Sequence, residues 1–248
     1  MTHLDSASVS YAANAVCGIG GQGEFLRHMV YTLEQVPRGR ILSRGAKSAR
    51  AECIDIPFHG WRHWYSKIVQ RVPVLRRRRD LITLLSDVEF DARLATHVRD
   101  TNLLDGVMGQ CSRTFQALSR RRIPLVLTAL NMHIDALASV LDDEHRRLGI
   151  RAPSFIHPQM IKRAHREIER ASFIRVISEA AKESFVEHGI ESGRVHAILP
   201  AVDLDHFRPA AQTDDVFRVL AVLTIDPRKG AYYLLQHSRG PPFPLRNS

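Results

Sequence analysis

Short apolar runs alternate with amphipathic helical patterns along this chain, and that alternation constrains the fold more than any other feature. Five runs have the length and composition of buried strands: residues 51–56, 105–108, 124–128, 173–177 and 195–199. Helical periodicity is clearest at residues 24–35, 158–170 and 179–188. Strands that alternate with helices predict a parallel sheet, because each crossover helix returns the chain to the same end of the sheet. We therefore expect an α/β fold, a Rossmann-like parallel sheet with helices on both faces.

Composition sets the frame for possible partners. The 248 residues are 44% hydrophobic, and 35 Lys and Arg against 26 Asp and Glu give a net charge of +9. Such a charge favours anionic partners, namely nucleotide phosphates, anionic lipid or nucleic acid. The three cysteines (Cys17, Cys53 and Cys111) lack CxxC spacing, which argues against a disulfide framework or a zinc site. No signal peptide is recognisable and no apolar run reaches about 20 residues, so we expect a cytoplasmic protein.

A glycine cluster at residues 18–23 (GIGGQG) precedes the first helical pattern. It matches G-x-G-x-x-G, in which glycines allow close backbone approach and the helix N-terminus attracts an anion. A dinucleotide site also needs an acidic residue at the end of the second strand. Here Arg44 follows residues 40–43, which suits NADP rather than NAD. An NADP-dependent oxidoreductase is therefore one hypothesis, and a glycine-rich turn without a ligand is another.

A second candidate site follows the apolar run at residues 124–128. Asn131 and His133 come directly after it, so both should lie at the carboxyl end of a parallel strand, where open α/β sheets bind ligands. An imidazole there can donate a hydrogen bond in either charge state near neutral pH. The alternative is a surface-loop histidine, since the chain contains 13 histidines.

Three segments resemble the central hinge region of GT-B glycosyltransferases, specifically the retaining family 4. They are residues 176–178 (VIS), 199–209 (LPAVDLDHFRP) and 226–230 (DPRKG). The resemblance covers residues 6–236 and is most specific from 173 to 230. It implies transfer of a sugar from a nucleotide-sugar donor to a sugar or lipid-linked hydroxyl acceptor, with retention at the anomeric carbon. It requires no metal and no cofactor, and it gives no reason to expect a nucleic-acid partner.

The resemblance also assigns domains and site residues. Residues 1–199 match the acceptor-side domain, 200–216 a linker, 217–236 a truncated start of the donor-binding domain, and 237–248 an atypical tail. The glycines Gly20, Gly21 and Gly23 match the cleft loop, together with Asn131, and His133 matches a catalytic cleft histidine. Lys229, with Arg228 as a weaker match, corresponds to the cations that bind the donor diphosphate. No glutamate follows Glu191, although the family uses two to hold the donor, so we expect the isolated chain to be inactive.

A membrane contact is the remaining alternative. As a helix, residues 61–72 place two tryptophans and several apolar residues on one arc and basic residues opposite, and four arginines follow at 76–79. Such a helix can lie in a membrane interface, or it can pack its aromatic face on the sheet. The rival to an enzyme is thus a noncatalytic module that binds an acceptor or an anionic membrane, with the protein peripheral at the membrane.

Overall fold

The structure, a computed structural model, describes residues 7–58, 78–98, 100–150, 156–202, 204–209, 218–223 and 227–238. Within these residues seven strands form one sheet, all pairs parallel, in the order β3-β2-β1-β4-β5-β6-β7. The strands are β1 (Ser8–Val16), β2 (Arg38–Gly45), β3 (Glu52–Asp55), β4 (Leu103–Val107), β5 (Leu125–Ala129), β6 (Phe173–Val176) and β7 (Val195–Ala197). The predicted parallel α/β sheet is confirmed.

Helices cover both faces of this sheet. They are α1 (Gly20–Leu33), α2 (Arg79–His97), α3 (Ser112–Ser119), α4 (Ile134–Arg147), α5 (Pro158–Arg170), α6 (Glu179–Glu187) and α7 (Ala231–Ser238), with 3-10 turns at Ser192–Arg194 and Pro227–Lys229. Neighbouring residues of a strand point to opposite faces. Accordingly Tyr11 and Ala13 join a core with α1, whereas Ala12 joins a larger core with Phe90 and Phe115 of α2 and α3.

Local signals at helix ends agree with the sequence prediction. α5 begins at Pro158, whose missing N–H costs nothing in the first helical turn. The Ser178 side chain caps α6 by accepting a hydrogen bond from Ala181 N–H at 3.1 Å. Gly189, just past that helix, has φ of 82° and ends it in the left-handed conformation that glycine favours.

The chain divides into two compact units, Met1–Ala138 with Pro153–Ala201, and Ser139–Ala152 with Val202–Ser248. In the second unit the Tyr233 hydroxyl of α7 donates to Glu144 at 3.0 Å, and the Arg147 guanidinium lies over the Tyr233 ring. The apolar pattern of residues 217–223 (FRVLAVL) predicts a strand at the start of the donor-binding segment. This prediction is wrong for residues 218–223, which form no strand. No strand of the described sheet pairs with them, and Leu220 and Val222 are 86% and 90% exposed. The predicted domain boundaries stay predictions.

None of the described helices is long and apolar enough to cross a membrane. The aromatic-basic segment at residues 61–72 and the last ten residues, 239–248, lie outside the described residues. The prediction of a peripheral membrane contact therefore stays a prediction.

Candidate functional site

The order of the strands creates a switch point between β1 and β4. From β1 the chain passes through α1 to β2 on one side, whereas from β4 it passes through α3 to β5 on the other. Loops that leave in opposite directions open a crevice at the carboxyl ends of the two strands, and ligands of open α/β sheets bind in such crevices. A pocket of about 390 Å³ lies at this point, within the first unit.

One set of residues that line the pocket is polar, and we call it the polar wall. Its polar side chains are Asn14, Gln22, Thr83, Ser86, Asp87, Gln110 and Asn131. Asn14 N–H donates to Gln110 Oε1 at 2.7 Å, and Gln110 Nε2 donates to Gln22 Oε1 at 3.2 Å. The Asn14 side-chain amide donates to Asp87 Oδ1 at 2.7 Å and to Ser86 Oγ at 2.9 Å. These bonds hold five of the seven polar side chains in one arrangement before any ligand enters.

The other lining residues are apolar, and we call them the apolar wall. It is formed by Ile82, Met108, Ile134, Leu137, Ile156, Met160 and Ala164, which come largely from α2, α4 and α5. A pocket with one apolar and one polar wall suits a small molecule that has an apolar body and a few hydrogen-bonding groups.

Buried polar side chains hold the loop after β4, which lines the pocket. Gly109 has φ of 88°, and its N–H and the N–H of Cys111 both donate to the carboxylate of Glu167, which is fully buried. Arg163 donates to the Gly109 carbonyl at 3.1 Å and to Asp91 at 2.8 Å, and Asp91 accepts from the first N–H groups of α3. Burial raises the pKa of Glu167 to about 8. The loop geometry is therefore set by three side chains of α2 and α5.

Asp87 is the ionisable group of the polar wall. It is 6% exposed, and burial raises its pKa to about 6, against the opposing effects of the Asn14 hydrogen bond and of Arg163 and Arg44. A carboxyl group with this pKa is mostly ionised at neutral pH and accepts a proton more readily than an ordinary aspartate. Sequence reasoning missed Asp87, because nothing in residues 79–97 distinguishes it from the other acids of that helix.

Replacement of Asp87 by asparagine is expected to change how stability depends on pH. Because the folded-state pKa is raised above 3.8, the contribution of Asp87 to stability is full below about pH 4 and is lost as pH rises through about 6. Over that window the slope is at most about 1.4 kcal/mol per pH unit. The free energy of unfolding, measured with urea, should fall less between pH 4 and pH 7 in Asp87→Asn than in the unmodified protein. Asp55→Asn, at an exposed position, is the control. Equal pH profiles for Asp87→Asn and the unmodified protein would contradict this.

The glycine cluster follows β1, but α1 already begins at Gly20, so residues 20–23 form the first turn of that helix and not the predicted loop before it. Gln22 in this turn lines the pocket. A Cβ at Gly21 would meet nothing within 4 Å, and Gly20 has φ of 67°. A Cβ at Gly23 would lie 2.2 Å from the Val16 carbonyl oxygen, so packing of α1 on β1 requires this glycine. Ligand binding by these glycines stays a prediction.

Asn131 and His133 lie in different environments although they are only two residues apart in the sequence. Asn131 lines the pocket. His133 is 4% exposed and is not part of the wall: its N–H donates to Ser184 Oγ at 2.9 Å, and its ring packs on Phe185 and stacks on His188 with centroids 4.4 Å apart. Burial and the neighbouring His188 lower its pKa to about 4. The surface-loop alternative is wrong, and a catalytic role for His133 stays a prediction.

The contacts of Arg44 do not support the hypothesis of an NADP site. Its side chain is 2% exposed and donates to Asn14 Oδ1 at 2.7 Å, to the Ile56 carbonyl at 2.8 Å and to Glu89 at 3.0 Å. A guanidinium held in this way is not available to a ribose 2′-phosphate. The expectation that Arg44 marks an NADP site is therefore wrong at this residue.

The donor-side cations Arg228 and Lys229 lie in the second unit, in the turn Pro227–Lys229 that precedes Gly230 and α7. Both are exposed, as cations that bind a diphosphate must be before it arrives. Their role stays a prediction.

No known protein family matches the sequence, and no curated protein does. Solved structures do. Medicago truncatula UGT71G1 complexed with UDP-glucose is 12% identical, with 87% of this chain and 56% of that chain covered and a TM-score of 0.51. The lipopolysaccharide outer core galactosyltransferase WaaB in its apo form is 12% identical, with 84% and 50% covered and a TM-score of 0.45. A ugt transferase from Siraitia grosvenorii in complex with UDP is 14% identical, with 95% and 54% covered and a TM-score of 0.44.

The likeness to UGT71G1 concerns the fold alone, because the identity is low. It confirms the predicted α/β architecture as one found in GT-B glycosyltransferases. The chain spans about half the length of these structures, 50% to 56% of each.

Proposed function

We propose that this chain contains the acceptor-binding domain of a glycosyltransferase, which transfers a sugar from a nucleotide-sugar donor to a hydroxyl acceptor. The observation that carries the proposal is the pocket at the switch point, which is lined both by hydrogen-bonded polar groups and by apolar side chains. The hinge-like segments in the sequence support it. So does the fold shared with a structure complexed with UDP-glucose, which suggests a uridine diphosphate sugar as donor.

The pocket residues would orient the acceptor. Its apolar body would contact Ile134, Leu137 and Met160, and a hydroxyl would bind among Gln22, Asp87 and Asn131. In the transfer, the acceptor oxygen forms a bond to the anomeric carbon, the bond from that carbon to the diphosphate breaks, and the hydroxyl proton leaves. Asp87, with its raised pKa, is placed to accept that proton or a hydrogen bond from the hydroxyl. Holding both reactants in register supplies much of the rate.

The donor half of the proposal rests on resemblance. Arg228 and Lys229 would neutralise the departing diphosphate, since charge that develops on a leaving group needs cations near it. Retention at the anomeric carbon and membership of family 4 belong to the same proposal. When the chain is supplied with a complete donor-binding domain, the anomeric configuration of the transfer product, read by proton NMR, tests retention directly.

Acceptor binding by the 248-residue chain tests the proposal. We expect saturation-transfer NMR with short alkyl glycosides, which combine sugar hydroxyls with an apolar chain, to show binding at the pocket. Asn131→Leu should weaken binding at least tenfold, because it removes a polar contact without adding much volume. Gln116→Leu, an exposed change on α3, is the matched control and should have no effect.

Two outcomes would count against the proposal. Binding that Asn131→Leu leaves unchanged would show that the pocket is not the acceptor site. Competition of the glycosides by NADP, but not by UDP or UDP-glucose, would favour an oxidoreductase.

A further inference from the structure

Three metal-ligating side chains converge beside the pocket, on helices that form its apolar wall. His133 precedes α4, Asp135 lies in the first turn of α4, and His165 lies in α5. One nitrogen of each imidazole and a carboxylate oxygen all lie within 4.8 Å of one another. His165 Nε2 is 2.8 Å from Asp135 Oδ2, and His133 Nδ1 is 3.8 Å from the same oxygen.

We propose that His133, Asp135 and His165 form a binding site for a divalent transition metal, with Zn²⁺ as the best-suited ion. Two imidazoles and one carboxylate are a ligand set that zinc and its neighbours accept, whereas Mg²⁺ and Ca²⁺ prefer oxygen ligands throughout. Three protein ligands leave a fourth tetrahedral position for water. The site is independent of the proposed glycosyltransferase activity.

Two of the three distances between ligand atoms lie close to those of such an ion, and the third, between the two imidazole nitrogens, is no more than 4.8 Å. Tetrahedral coordination at about 2.0–2.1 Å places ligand atoms about 3.3 Å apart. The two distances to Asp135 Oδ2, 2.8 and 3.8 Å, lie about 0.5 Å on either side of that value. The side chains of Asp135 and His165 are 41% and 44% exposed, so both can move by this amount.

His133 supplies the fixed part of the site. Its backbone N–H donates to Ser184 Oγ, its Nδ1 accepts a long hydrogen bond of 3.4 Å from the Asp135 backbone N–H, and its ring packs against Phe185 and His188. One ligand is therefore positioned before the metal binds, and the metal would replace the long hydrogen bond at Nδ1. A simple surface ion pair between Asp135 and His165 would contribute little to stability and would not need a third, buried imidazole. A bound ion would join α4 to α5, and so hold Ile134 and Met160 in the wall of the pocket.

Zinc binding by the chelator-treated 248-residue chain tests this. We expect one equivalent of Zn²⁺ to bind in competition with a chromophoric chelator, and the melting temperature to rise with Zn²⁺ but not with Mg²⁺. His165→Ala and Asp135→Asn should each weaken Zn²⁺ binding at least tenfold, since each removes one of three ligands. His97→Ala, an exposed histidine on α2, should bind Zn²⁺ like the unmodified chain.

The side chains of Asp135 and His165 are partly exposed, so the variants at these two positions are expected to fold. A variant of His133, which is buried, would disturb the packing around it. The proposal is overturned if no Zn²⁺ binds. It is also overturned if His165→Ala and Asp135→Asn bind Zn²⁺ as tightly as the unmodified chain, because other histidines among the 13 would then hold the ion.

Discussion

Gly23→Ala is expected to destabilise the protein severely, whereas Gly21→Ala, two residues earlier in the same helix turn, is expected to leave it at least as stable. A Cβ at Gly23 would lie 2.2 Å from the Val16 carbonyl oxygen, far inside van der Waals contact. Neither partner can yield easily, because Gly23 O accepts from Gly18 N–H at 2.9 Å and Val16 is paired with Gly45 in the sheet. We expect a loss of about 3 kcal/mol or more in unfolding free energy.

Gly21 is the matched control for this change. Nothing lies within 4 Å of a Cβ built there, and its φ is not in the left-handed region. Alanine is favoured over glycine in a helix by about 1 kcal/mol, so Gly21→Ala should stabilise slightly. Urea denaturation followed by circular dichroism measures both variants. If Gly23→Ala and Gly21→Ala unfold at the same urea concentration, Gly23 is not required for the close packing of α1 on β1.

The parts of the fold that the sequence predicted are those with a local signal. The strands β3 to β7 are short apolar runs, and α5 and α6 carry their own start residues, Pro158 and Ser178. By contrast β1 has no continuous apolar run, because Ser8 and Ser10 are buried in it. Ser10 is tolerated there because Thr101, 91 residues later, donates a hydrogen bond to it. No local pattern reveals a partner so far along the chain.

Partners that are distant in sequence also explain why helix α2 was not predicted. Its acids Asp87, Glu89 and Asp91 are buried, which a helix normally avoids unless each acid finds a partner. Those partners are distant in sequence: Asn14 for Asp87, Arg44 for Glu89, and Arg163 for Asp91. Periodicity along residues 79–97 is blurred by these acids, so the sequence predicted no helix there.

The candidate site was predictable in outline and not in its chemistry. Parallel strands place the loops after β1 and β5 at one end of the sheet, so Gln22 of the glycine cluster and Asn131 meet at the pocket as topology requires. The direction of a single side chain could not be predicted in this way. The His133 ring turns toward α6 because Ser184 and Phe185, more than 50 residues later, bind its backbone and its ring.

Arg44→Met is the second change from which we expect a large effect, and it acts on both the fold and the pocket. The guanidinium is buried and donates to Asn14, the Ile56 carbonyl, the Ser86 carbonyl and Glu89, and it stacks over the Phe58 ring at 3.8 Å. Methionine keeps much of the volume but removes every donor. Buried acceptors then lose their partners, although Glu89 retains Arg93. Removing one member of such a network costs about 3 kcal/mol.

The pocket should respond as well, because Arg44 Nε holds the Asn14 oxygen while the Asn14 amide group holds Asp87 and Ser86. Without Arg44 the Asn14 side chain is free to rotate, and the polar wall loses its fixed arrangement. We therefore expect Arg44→Met to weaken alkyl-glycoside binding, with Arg44→Lys intermediate, since lysine restores the charge without the planar fork of donors. Arg40→Met, on the same strand and paired with exposed Glu52, is the control and should alter stability by less than about 1 kcal/mol. If Arg44→Met and Arg40→Met unfold at the same urea concentration, the buried arginine does not organise this end of the sheet.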